Sequence, residues 1–154
     1  MRKLLPLLLI ILTLLTSCAS SGREGAEQMA SAPAEGLVIR LDELTEEISF
    51  VDYMSGQTAM QLIVRKDEGG AASLAYNTCQ SCSGSPYAYY EVVGSCLVCR
   101  NCGNAFTFDE VGQSGYGCHP WPVTGYTAEN GIITLPAEVL DSMAVRFVNW
   151  KKGL

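Results

Sequence analysis

Two pairs of cysteines, Cys79-Gln-Ser-Cys82 and Cys99-Arg-Asn-Cys102, stand sixteen residues apart, Ser83 to Val98 filling the gap. This spacing falls in the window of a four-thiolate metal site. Two residues between sulfurs allow a tight turn that aims both at one ion and leaves turn amides free to donate to them. Gly103 follows the second pair directly and suits such a knuckle, because glycine takes positive φ without a Cβ clash. Four thiolates suit Zn²⁺, iron and Cu(I) alike, so ligand type leaves the identity of the metal (Fe, Zn or Cu) open.

Two further thiols enlarge the constellation. Cys96 precedes Cys99 by three and makes a CxxCxxC run of the kind that iron–sulfur ferredoxins use, while Cys118, beside His119, offers a distant or capping ligand. Six thiols exceed one tetrahedral site. In an oxidising compartment they can also close into structural disulfides, which would leave a metal-free interaction module. Thiol–disulfide exchange is the third chemistry, weakened because no cysteine pair opens a helix where its thiolate would be favoured. The metal reading is preferred on spacing, with Cys79, Cys82, Cys99 and Cys102 as principal ligands, Cys118 as an additional or capping one, and Cys96 and His119 as weaker candidates. His119, the one histidine, reads first as a loop residue with solvent or backbone partners. Tyr87, Tyr89 and Tyr90 read as strand packing. No Gly-rich phosphate loop, serine nucleophile elbow or paired histidine is present, so enzymatic activity is not supported.

The elements that must hold these cysteines are strands. Leu37–Leu41, Ile48–Met54 and Met60–Arg65 are rich in β-formers, and Gly69-Gly70 marks a hairpin whose second strand, Ala71–Asn77, delivers the chain to Cys79. Tyr87–Val93, Ala105–Val111, Gly131–Leu135 and Ala144–Trp150 are the other expected strands. Pro136–Met143, with proline in its first turn, is the best helix and at most two turns long. The fold expected is mainly β: a small β-sheet or barrel-like domain carrying a two-knuckle, metal-ribbon-like insertion and at most one short helix.

The amino-terminal end predicts export. Met1–Lys3 is positively charged, Leu4–Leu15 is an apolar run, and Leu15-Thr16-Ser17-Cys18 resembles the lipobox of bacterial lipoproteins. A run this short is a signal peptide, since a membrane-crossing helix needs about 20 apolar residues. Residues 1–17 are accordingly expected to be removed, and Cys18 to become the lipidated first residue of a protein bound to the outside of the cell membrane. Ala19–Gly36 lacks aromatic and β-branched residues and reads as a tether, so the globular domain is expected over 37–154. The formal net charge of −6 excludes a nucleic-acid partner, which would require clustered basic side chains.

At three segments the chain resembles the FtrD-like membrane iron–sulfur-containing protein domain, a bacterial and archaeal family. They are Ser73-Leu-Ala-Tyr-Asn-Thr-Cys79-Gln-Ser-Cys82, Leu97-Val-Cys99-Arg-Asn-Cys102-Gly-Asn-Ala-Phe106 and Gly117-Cys118-His-Pro-Trp-Pro122, within a resemblance running from about Leu37 to Trp150. Cys79, Cys82, Cys99, Cys102 and Cys118 match the family's pattern. Tyr116 stands where the pattern has glycine, His119 where it has asparagine, and Cys96 has no counterpart. The resemblance implies a metal ion or iron–sulfur cluster bound by cysteine outside the cytoplasmic membrane. It also implies a partner in a metal-transport or redox membrane complex, since some relatives accompany iron-uptake systems. Some members span the membrane several times; here the lipid on Cys18 would do that positioning.

Overall fold

The computed structural model describes residues 35–152. The expected signal peptide, the lipidation site Cys18 and the tether up to residue 34 lie outside the described residues.

Among the described residues, ten strands and one short α-helix follow in chain order: β1 (Leu37–Arg40), β2 (Ser49–Ser55), β3 (Thr58–Lys66), β4 (Ala72–Cys79), β5 (Tyr90–Val93), β6 (Cys96–Cys99), β7 (Ala105–Thr107), β8 (Pro120–Pro122), β9 (Thr127–Glu129), β10 (Ile132–Leu135) and α1 (Ala137–Asp141). They make three antiparallel sheets, ordered β1-β10-β9, β2-β3-β4-β8 and β5-β6-β7. The mainly β expectation with one short helix is what forms. The predicted hairpin forms too: β3 turns into β4 through Asp67, whose amide donates to the Ala71 carbonyl (2.8 Å) while its carboxylate accepts from the Ala71 amide (2.8 Å).

The middle strands β3 and β4 are buried on both faces, and period-two alternation deals their side chains into two cores. Met60, Leu62, Val64, Leu74 and Tyr76 join Ile133, Leu135, Leu140 and Phe147 in the first. Ile63, Ala75 and Cys79 point the other way, into a second core with Tyr90, Leu97, Cys99 and Phe106. The cysteine centre therefore grows out of a packed apolar layer.

Several expected strands are corrected. Ala144–Trp150 is not a strand but a 3-10 turn, Ala144–Arg146, and its continuation. The Phe147 amide donates to the Ala144 carbonyl and the Trp150 amide to that of Phe147, both at 2.9 Å. Spacing of three aligns such residues on one side, and Phe147 and Trp150 meet edge to face at 5.3 Å. The β-branched Val145 and Val148, which suggested a strand, are 70% and 68% exposed. Tyr87–Tyr89 form a turn, so that strand begins at Tyr90. The strand from Ala105 stops at Thr107, whose amide donates to the Glu110 carboxylate (2.8 Å) and opens the 3-10 turn Phe108–Glu110. The strands β6, β8 and β9 were not anticipated. Pro-Trp-Pro offers one backbone donor in three residues, and β8 accordingly lies at a sheet edge. The helix α1 starts after Pro136, as expected, buries Leu140 and is held to the sheet by the Tyr53 hydroxyl on Asp141 (2.9 Å) and that of Tyr76 on the Val139 carbonyl (3.0 Å).

Candidate metal centre

The first knuckle is an extension of β4. Alternation sends Ala75, Asn77 and Cys79 to one face, and the Cys79 amide donates to the Ala88 carbonyl (3.1 Å) as the chain turns through Cys82. Cys79 is paired with Pro120 of β8. The Gln80 amide donates to the His119 carbonyl (3.0 Å) and the Gln80 side chain to the Pro120 carbonyl (3.3 Å). This register carries Cys118, two residues upstream of Pro120, to the side of the first knuckle.

The second knuckle leaves β6 at Cys99. The Cys99 amide donates to the Asn104 carbonyl (2.9 Å) and the Gly103 amide to the Cys99 carbonyl (2.8 Å). Gly103 has φ +76°, the left-handed conformation that its position suggested. Amides of Asn101 and Cys102 donate to the Cys99 sulfur, and that of Asn104 to the Cys102 sulfur.

The Sγ atoms of Cys79, Cys82, Cys102 and Cys118 lie within 4.8 Å of one another. A tetrahedral ion with bonds of about 2.3 Å to sulfur needs edges of about 3.8 Å, so small side-chain adjustments bring all four into range. Both knuckles contribute, and the fourth sulfur comes from Cys118. Cys99 stays outside this foursome, buried at 1% exposure and hydrogen-bonded with Cys102. Cys96, at the start of β6 opposite Thr107, is also outside it. All six described cysteines are free thiols.

The protonation pattern suits a cation. Burial works against ionisation of Cys102, but the Asn104 amide and the thiols of Cys118, Cys99 and Cys82 outweigh it and bring Cys102 down to about 7. The others move up: Cys82 through burial and the Cys79 sulfur, Cys118 through its hydrogen bond with Cys102 and then burial, and Cys99 to about 11, chiefly through burial. Cys102 is thus poised to ionise while the thiols of Cys118, Cys99 and Cys82 donate to it. A soft cation would replace the protons they share, which is the chemistry that a four-thiolate donor set supports. Cys102 is the exposed member, and Cys79 is fully buried.

Around the sulfurs runs a buried polar chain. Tyr90, 0% exposed, directs its hydroxyl to the Cys118 carbonyl, which the Cys79 thiol also approaches at 3.5 Å. Burial and the Cys79 sulfur hold the Tyr90 hydroxyl far above its ordinary range, so it stays a donor. Asn77 clamps the Tyr90 backbone, accepting its amide (2.7 Å) and donating to its carbonyl (3.3 Å), and donates to the side-chain Oε1 of Gln61 (2.8 Å). Gln61 in turn donates to Asp52 (2.6 Å). Sequence reasoning assigned Tyr90 to strand packing and missed this role. The available signal was Asn77, an amide two residues before Cys79 on the strand face that otherwise carries Ala75 and Cys79.

His119 is engaged away from the sulfurs. Its Nδ1 lies 2.8 Å from the Tyr116 carbonyl, its Nε2 3.5 Å from Glu110, and its ring rests against Phe106 with centroids 4.6 Å apart. A Cβ on Gly115 would come within 2.6 Å of that ring, so glycine there lets the loop close over it.

Comparison with curated proteins and with solved structures gives no match. Among the described residues no helix is long and apolar enough to cross a membrane. Residues 44–147, which contain both knuckles, Tyr90 and the Cys118 loop, match the family described as membrane iron-sulfur containing protein FtrD-like, and the chain belongs to that family.

Proposed function

We propose that this FtrD-like chain is an extracytoplasmic protein, anchored by lipid on Cys18, whose thiolate centre binds iron and serves metal transport or membrane electron transfer as an accessory. The observation that carries this reading is the convergence of Cys79, Cys82, Cys102 and Cys118 within 4.8 Å. The family description supplies iron and the membrane. Iron on four thiolates provides a one-electron couple. The residues of the chain itself keep water from the Cys79 side and leave Cys102 as the exposed edge, where a redox or metal-donating partner can approach. The closeness of the four sulfurs favours a single ion over a cluster, because inorganic sulfides between irons hold protein sulfurs farther apart.

The test is to isolate the full chain without oxygen, measure metal and acid-labile sulfide per chain, record the visible spectrum and titrate free thiols. One iron per chain without sulfide, with sulfur-to-iron absorption, supports a single-ion centre. Sulfide in proportion to iron shows a cluster and corrects the nuclearity. A colourless zinc protein makes the centre structural. Zero metal with no free thiols replaces the reading by a disulfide-stabilised module.

A further inference from the structure

The four sulfurs reach the centre from three stretches of chain, and one of these is a loop. Cys79 and Cys82 extend a strand, and Cys102 sits in a knuckle closed by its own amides. Cys118 lies at the end of a loop, after Gly112, Gly115 and Gly117 and before β8. Its carbonyl has two donors within reach, the Cys79 thiol at 3.5 Å and the Tyr90 hydroxyl. A thiol is a weak donor, so the Tyr90 hydroxyl is the principal donor to that carbonyl.

Resting on the single-centre reading above, we infer that Tyr90 is the positioning residue of the site: its hydroxyl fastens the Cys118 loop over the centre. The rest of the polar chain serves this task. Asn77 holds both backbone polar groups of Tyr90, Gln61 fixes Asn77, and Phe106 meets the Tyr90 ring edge to face at 5.8 Å. The hydroxyl therefore stands at a set height over the Cys118 carbonyl, in the way that partners just outside a ligand shell orient their ligands. Without it, Cys118 becomes a labile fourth ligand and the centre opens to three sulfurs and a solvent-filled position.

Titration of the full chain, reduced and without oxygen, with Co²⁺ tests this, since sulfur-to-cobalt absorption reports how many thiolates are bound. Tyr90→Phe removes one oxygen and keeps the buried ring. It is expected to weaken Co²⁺ binding 10- to 100-fold, the roughly known range for loss of such a partner, and to move the spectrum toward that of Cys118→Ala. Tyr89→Phe, one residue away with its ring on Trp150, is the control and leaves both unchanged. Wild-type affinity and spectrum in Tyr90→Phe overturn the inference while leaving the metal centre standing. Absence of Co²⁺ binding by the wild-type chain overturns both. Should Tyr90→Phe fail to fold, 3-fluorotyrosine at position 90 keeps the ring and strengthens the donor. Tighter Co²⁺ binding is then expected, and an unaltered titration overturns the inference.

Discussion

Cys79 and Pro120 face one another across the last pair of β4 and β8. Because of that pairing, Cys118 rather than Cys99 completes the group of four sulfurs. Single alanine substitutions should follow the same division. Cys79→Ala, Cys82→Ala and Cys102→Ala are each expected to abolish stoichiometric metal binding, and Cys118→Ala to weaken it and leave three sulfurs on the ion. Cys99→Ala should keep one ion per chain and lose about 1 kcal/mol of stability, the usual size for a small buried change. Metal content after anaerobic purification decides it, and loss of the ion from Cys99→Ala would place Cys99 in the ligand shell.

The ion-free protein should be most stable near the ordinary cysteine value of 9.0. Cys102 is lowered from there to about 7, so its contribution is present above 9.0 and fades as pH falls through 7. Cys99 is raised to about 11, so between 9.0 and 11 the unfolded chain has given up a proton that the folded chain keeps, and stability declines as pH rises. Tyr53 and Tyr76, raised from 10.0 to about 12, prolong the decline. Urea midpoints in chelator and reductant should trace this maximum, and a midpoint still climbing above pH 9.0 contradicts it.

The short helix depends on one side chain. Leu140 is 0% exposed and belongs to the first core with Phe147 and Tyr76. Leu140→Ala should cost about 2–5 kcal/mol through lost burial and the cavity left behind. Tyr53→Phe, which removes only the hydroxyl on Asp141, should cost about 0.5–1.5 kcal/mol. Equal costs in chemical denaturation would mean that α1 is held by its hydrogen bonds rather than by packing.

Lipid attachment makes a prediction about place. Cys18→Ala should shift the chain from the membrane fraction to the soluble extracytoplasmic fraction, because in the proposed reading acyl chains on Cys18 would supply the affinity for the bilayer. A variant that remains wholly with the membrane removes the lipid anchor from the account.

Legibility from sequence followed the range of the forces involved. The two knuckles, Gly103, the β3–β4 hairpin and α1 were readable because each is fixed by a local rule: ligand spacing, positive φ, turn residues or a proline start. The strand expected at Ala144–Trp150 failed because Val145 and Val148 carry strong β preference on a surface where nothing pairs with them, while Phe147 and Trp150 pack with a spacing of three. The membership of Cys118 in the foursome depends on the pairing of β4 with a strand 40 residues later that contains two prolines, which no local signal announces. Tyr90 was out of reach for a similar reason: its hydroxyl meets a carbonyl 28 positions away.

The composition of β8 has a last consequence. The Val123 amide donates inward to Leu74 (3.0 Å), and by alternation that of Trp121 points the same way. The outward positions are Pro120 and Pro122, which carry no N–H, so this margin of the sheet shows an approaching strand acceptors without donors. Neighbouring molecules are thereby kept from zipping together along that border, and the Pro-Trp-Pro stretch that seats Cys118 also acts as a guard against aggregation.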